Sequence, residues 1–214
     1  MILLIGGEKG GTGKTTLAVN LAALLSTLGY SVCIVDSDKQ KSAYEWTQFR
    51  SSELNEIPAI NKLGPIDEEV KKLGKKYDHV IVDAGGRDSV ELRSAMLAAD
   101  KFYSPVRASQ FDLGSLQRLN DIVAEAKKVN RKLTAFICIN CASTNPRVSD
   151  TVDAVEFISA YDEFVMSVII KERAAFKKSG YTGLGIHELP YKDRSADAEI
   201  ELSKLCKEVF NVEI

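Results

Sequence analysis

Ile2-Leu3-Leu4-Ile5-Gly6-Gly7-Glu8-Lys9-Gly10-Gly11-Thr12-Gly13-Lys14-Thr15-Thr16 decides how this chain folds. Met1 to Gly6 is an apolar run of strand length, and from Lys14 to Leu28 apolar residues recur at helical spacing. Strand, glycine loop and helix in that order let successive backbone N–H groups converge on a phosphate at a helix N-terminus. The glycines allow the tight path and leave room for a ligand. Gly10, Gly11, Thr12, Gly13, Lys14, Thr15 and Thr16 are therefore the expected phosphate cradle, with Lys14 over the β- and γ-phosphates and the Thr15 hydroxyl on Mg²⁺. Lys9 precedes the glycines and has three open destinations: solvent, its own phosphates, or those of a partner across a dimer interface. The last would couple nucleotide state to association.

Working outward, 214 residues with 45% hydrophobic composition suit one domain, 1–214, with a substantial core. Met1 runs straight into a strand, without a basic leader or a long apolar segment, so the expected location is cytoplasmic, with no membrane association. The 28 basic and 30 acidic side chains leave a formal charge of −2, so any nucleic-acid contact needs a local patch. Four cysteines are too few for a disulfide framework. Cys33 reads as core. Cys138-Ile139-Asn140-Cys141 has CxxC spacing but ends a strand, which favours burial over metal or redox chemistry. His79 and His187 are too separated for a zinc site.

Strands are expected at Ile2–Ile5, Val32–Val35, His79–Val82, Lys101–Ser104, Leu133–Ile139 and Phe164–Ile170. Helices are expected at 14–28, 40–51, 66–76, 91–98, 113–130, 149–160 and 196–210. Ile57–Ile60 adds a short extended piece that Pro58 confines to an edge. Alternating strands and helices imply βαβ units and a mostly parallel sheet in a three-layer α/β/α fold, with ligands at the C-terminal strand ends. The acids fall there. Val32-Cys33-Ile34-Val35-Asp36-Ser37-Asp38 ends in two carboxylates, suited to orienting a Mg²⁺-bound water and the attacking water, or more plainly to capping the next helix. Val80-Ile81-Val82-Asp83 supplies a further metal-shell acid, and Gly85-Gly86 lets the chain turn close to a γ-phosphate. Arg87 and Asp88 read equally as switch contacts or as a surface pair.

With these residues in hand, the chain resembles the ParA/MinD group of P-loop ATPases, and within it the small ParA partition proteins. Lys9-Gly10-Gly11-Thr12-Gly13-Lys14-Thr15 matches the deviant Walker A motif, and the likeness continues through Asn20, Asp36-Ser37-Asp38, Ile81-Val82-Asp83 and the helix lead-in of Pro105, Ser109, Asp112 and Leu113. The resemblance implies a P-loop NTPase fold, ATP and Mg²⁺ as ligands, and catalytic roles for Lys9, Lys14 and Asp38. Lys9 becomes the lysine that reaches the partner's nucleotide, Asp36, Asp83 and Thr15 the metal shell, and Asn140 an adenine-facing residue, with a strand-end turn as its plainer reading. Lys39 and Ala84-Gly85-Gly86 replace prolines common in the group, which alters the helix start and loosens the switch.

The resemblance also implies an ATP-dependent homodimer, nonspecific DNA binding on the nucleoid, and release when a cargo-associated activator of ParB type stimulates hydrolysis. Lys171, Arg173, Lys177 and Lys178, opposed locally by Glu172 alone, are the first DNA-binding candidates. Lys127, Lys128, Arg131 and Lys132 form a second group. Tyr44 and Trp46 read as packing residues. The 199–210 stretch balances its charges and suits a helix packed on the domain rather than a membrane anchor. The rival reading is a P-loop metabolic ligase or kinase with a small-molecule acceptor. An iron–sulfur ATPase using Cys138 or Cys141 ranks below it.

Overall fold

A computed structural model describes residues 1–86, 88–108, 113–145, 147 and 150–214. Arg87, Ser109, Asp112 and the side chain of Leu113, named above for switch and lead-in roles, lie outside what it describes.

The strands are β1 (Ile2–Ile5), β2 (Val32–Ser37), β3 (Ala59–Asn61), β4 (His79–Ala84), β5 (Lys101–Val106), β6 (Thr134–Ile139) and β7 (Phe164–Met166). They form one sheet in the order β3-β2-β4-β1-β5-β6-β7, and every pairing is parallel. The helices are α1 (Lys14–Thr27), α2 (Ser42–Gln48), α3 (Asp67–Gly74), α4 (Val90–Met96), α5 (Leu113–Val129), α6 (Asp150–Ile158), α7 (Ala174–Ser179) and α8 (Ala196–Phe210).

Alternate residues of each strand point to opposite faces, and both faces are apolar, as a parallel sheet covered by crossover helices requires. Leu3, Ile5, Ile34 and Ile81 pack with α1, α2, α7 and α8. Leu4, Val35, Val80 and Val82 pack with α3, α4, α5 and α6. Helix α1 is buried along almost its whole length, including the polar Asn20. That explains why it lacks a polar stripe. Trp46 is 2% exposed and serves packing, as expected. Helix α8 buries Leu202, Leu205, Val209 and Phe210. Among the described residues no helix is long and apolar enough to cross a membrane.

Several boundaries differ from the sequence expectation by a few residues, and three of them have a local cause. Helix α2 starts at Ser42 because Lys41 adopts a left-handed φ of 57°. Strand β7 stops at Met166, although backbone bonds from Ser167 to Ile137 and from Ile170 to Ile139 keep the following segment extended beside β6. Strand β3 begins after Pro58, whose carbonyl still accepts from Ile34, so the proline stands at the mouth of an edge strand.

Candidate nucleotide site

The C-terminal ends of β1, β2, β4, β5 and β6 surround a cleft of about 350 Å³ lined by Gly10, Gly11, Gly13, Lys14, Thr15, Thr16, Asp38, Gly86, Arg107, Asn140 and Cys141, with Lys171, Arg173 and Lys177 on its rim. Gly11 and Gly13 have φ values of 72° and 88°, which a residue with a Cβ rarely adopts. Gly13 also meets a close neighbour: a Cβ there would lie 2.2 Å from Asn140 Nδ2.

Lys14 is 8% exposed, and its ammonium donates to the Lys9 carbonyl at 2.6 Å. Burial lowers its pKa, while the nearby carboxylates of Asp83 and Asp38 pull the other way. The lysine is thus folded over the loop that is to receive phosphate. Gly86 closes the far side, since a Cβ there would sit 2.8 Å from the Lys9 carbonyl and 2.9 Å from Lys14 Nζ. Gly85 stands beside Asp38, whose Oδ2 would be 3.1 Å from a Cβ. The two glycines bring the end of β4 into van der Waals range of the phosphate loop and of Asp38.

The acids divide their work. Thr15 donates to Asp83 Oδ2 at 2.7 Å, and Asp83 Oδ1 is buried without a hydrogen-bond partner. Burial pushes the Asp83 carboxyl up to about 7, opposed by the Thr15 hydrogen bond. An orphaned carboxylate oxygen beside a threonine hydroxyl at the foot of a phosphate cradle fits a hydrated divalent cation, which needs only one or two protein groups alongside phosphate oxygens. Asp36, expected in the same shell, is used elsewhere. Its Oδ1 accepts from Asp38 N at 3.0 Å and its Oδ2 from Tyr44 N at 2.9 Å, so it holds the turn into α2, and it does not line the cleft. Asp38 lies past the strand end, partly exposed, and does line it. Asp36 is bonded only to the turn, whereas Asp38 lines the cleft while its Oδ1 also accepts from Gln40 N at 2.9 Å.

Asn140 is 5% exposed and donates to the Thr12 carbonyl at 2.8 Å. It braces the phosphate loop and also lines the cleft. Lys9 is exposed and lines a smaller cavity behind the loop rather than the cleft. Asp88 pairs with Arg93 at 2.6 Å. Cys138 is fully buried and donates to the Val168 carbonyl at 3.3 Å, and burial pushes its thiol far up. Cys141 is only half-buried and reaches the cleft wall, so the two cysteines of the CxxC stretch face different surroundings.

The cationic stretch is also changed by the fold. Glu172 takes Lys177, but Arg173 pairs with Glu201 at 2.7 Å and Asp197 at 2.9 Å, and Lys178 with Asp193 at 2.6 Å. Glu172 is the one acid within the stretch, and α8 and the turn before it carry further acids into range from outside it. Arg173 itself precedes α7 in extended conformation. In the second group Lys127 pairs with Glu163 and Lys128 with Glu125, while Arg131 and Lys132 are exposed. Sequence reasoning missed Arg107, which follows β5 outside any short motif. Its only signal was its place one residue past a strand end.

Residues 3–186 match the profile of the CobQ/CobB/MinD/ParA nucleotide binding domain. The chain is 28% identical over 202 residues to maintenance of carboxysome distribution protein A of Halothiobacillus neapolitanus, covering 92% of each sequence. It is 24% identical over 250 residues to sporulation initiation inhibitor protein Soj of Bacillus subtilis, covering 97% of each. Its backbone is similar to that of Cyanothece McdA in complex with ATP, with a TM-score of 0.79 at 19% identity over 100% of this chain and 97% of the other. At that identity the likeness speaks for the fold.

Proposed function

The chain belongs to the CobQ/CobB/MinD/ParA nucleotide-binding family, and we propose that it is a ParA-type positioning ATPase. In this reading ATP draws two copies into a dimer, the dimer holds DNA without sequence preference, and hydrolysis stimulated by a cargo-bound activator protein releases it. The cargo is a replicon or another large body that must be distributed in the cell, in keeping with the partition and carboxysome-distribution names of its relatives.

The observation that carries the reading is the division between the loop's two lysines. Lys14 is buried over the cradle in its own subunit, while Lys9 is exposed and does not line the cleft. An exposed lysine next to the phosphate site but outside its own cleft suits contact with a partner's triphosphate, made only in the closed dimer. Within each subunit the N–H groups of the 10–16 loop and Lys14 bind and orient the phosphates. Asp38, on the cleft wall near Lys14, positions the attacking water. Thr15 and Asp83 would hold Mg²⁺, which neutralises charge on the β- and γ-phosphates when it is bound.

The test is dimerisation and DNA binding measured with ATP, ADP and no nucleotide across a salt series. DNA affinity is expected with ATP alone and is expected to fall steeply as salt rises. Lys9→Ala should lose the ATP-dependent dimer while the monomer still binds nucleotide. Unchanged dimerisation of that variant rejects the crossing role of Lys9. DNA binding indifferent to nucleotide, or turnover that requires a small-molecule acceptor, rejects the positioning function.

A further inference from the structure

We propose that Arg107 is an anchoring cation of the nucleotide site, contacting the bound phosphates from the β5 side at the end of the cleft nearest Asn140. The inference rests on the nucleotide reading of the cleft and adds a residue that no loop motif discloses.

Three observations carry it. First, Arg107 lines both the cleft and the cavity of about 30 Å³ behind the phosphate loop. Its Nε is buried without a hydrogen-bond partner. Two more orphaned atoms, Glu8 Oε1 and Thr12 Oγ1, belong to residues lining the same cavity. A space of that size holds about one water.

Second, Arg107 shares the cleft wall with Cys141, and its charge opposes the upward push of burial on the Cys141 thiol. Arg107 therefore borders both the back of the loop and the cleft. Cys141 holds a left-handed φ of 54°, uncommon for a residue with a side chain.

Third, the charges around the cleft are unevenly matched. Lys177 and Arg173 on the rim are each held by a carboxylate, and Lys14 lies near Asp38 and Asp83. Among the described residues no ion pair joins Arg107 to an acid, and Glu172 interacts with it only at longer range. A partly buried guanidinium without a counter-ion is costly until an anion arrives. Its planar array of donors suits phosphate oxygens.

The experiment is equilibrium binding of fluorescent ATP and ADP analogues, with Mg²⁺, to the full chain and to its Arg107→Ala and Arg107→Lys variants. Removing one charge-assisted contact should weaken both nucleotides by roughly tenfold. The two losses should match because Arg107 stands on the Asn140 side, next to Cys141, and not at the Asp38 end. Arg107→Lys should recover part of the loss. Alanine-variant affinity within about twofold of the parent overturns the proposal, and a loss confined to ATP overturns the assigned end of the cleft. Should Arg107→Ala melt below the parent in the absence of nucleotide, Arg107→Gln, which keeps the shape and removes the charge, replaces it under the same criteria. A parent chain that binds neither analogue instead removes the nucleotide reading itself, an outcome distinct from equal binding by parent and variant.

Discussion

The cleft at the C-terminal ends of the strands and the corner where α2 meets α7 and the 3₁₀ turn at Ile186–Glu188 handle buried polar groups in opposite ways. Around the phosphate loop, at the cleft and in the cavity behind it, Asp83 Oδ1, Thr12 Oγ1, Glu8 Oε1 and Arg107 Nε are buried without partners. At the corner almost everything is matched. Arg50 is bidentate to Glu188 at 2.8 and 2.7 Å, Gly185 N donates to the same carboxylate, and Trp46 Nε1 donates to the Ser179 carbonyl. Asn20 gives its amide to Ser179 Oγ and the Thr16 carbonyl and accepts from Ile186 N. A region that leaves valences open is arranged for something that comes and goes. One that closes nearly all of them, His187 Nδ1 being the exception, is arranged to stay.

The largest effect that could break this contrast lies at the corner. Arg50 and Glu188 side chains are 4% and 7% exposed, so Arg50→Ala strands a buried carboxylate. The loss should be about 3–5 kcal/mol, read from urea unfolding, with nucleotide affinity of the folded protein unchanged. A variant that keeps its stability but loses nucleotide affinity would show that the corner belongs to the site.

The next effect sharpens the contrast by an exception. Both ring nitrogens of His79 are buried without partners, yet His79 stands at the start of β4, at the opposite end of the sheet from the cleft. It is packed edge-on between Tyr30 and Phe210, and burial lowers its pKa from 6.5 to about 4. Here the cost is limited by neutrality rather than by a ligand. The unfolded chain binds the proton more readily, so the stabilising contribution is complete above pH 6.5 and is lost as pH falls toward about 4. The full loss is up to about 3 kcal/mol. Between about pH 7 and about pH 4 the unfolding free energy of the parent should fall relative to that of His79→Phe by that amount. Parallel curves would mean that His79 is hydrated in the folded state.

The same two regions separate what the sequence disclosed from what it withheld. The loop, Lys14, Thr15 and Asp83 were legible because glycine spacing and an apolar run ending in an acid are local patterns that backbone geometry reads directly. The three-layer fold followed from the alternation of strand and helix periods. Strand order did not, since nothing local states that β4 lies between β2 and β1. Nor did the split between Asp36 and Asp38, which depends on where β2 ends and which backbone N–H groups α2 then presents. The acids that meet Arg173 are 24 and 28 residues downstream, so local charge counting saw a bare patch where the fold builds ion pairs.

That patch carries the smallest effect on stability and the most discriminating one. Lys177 and Lys178 are 69% and 39% exposed in their pairs with Glu172 and Asp193, and exposed pairs contribute about 0–1 kcal/mol each. Lys177→Gln with Lys178→Gln should therefore shift unfolding by less than about 1 kcal/mol. If these cations exchange their carboxylates for DNA phosphates, the double variant should lower ATP-dependent DNA affinity and flatten its salt dependence by about two phosphate contacts per subunit. Nucleotide binding should persist, since Lys14 and the loop are untouched. An unchanged salt slope would assign both lysines to the closed corner rather than to the working edge of the cleft, and would move the DNA surface to another face such as that of Arg131 and Lys132. Lys177 is the more readily recruited of the two, because its half-exposed Glu172 is displaced by phosphate at little cost, whereas Arg173, 18% exposed and shared by two acids, is held in place.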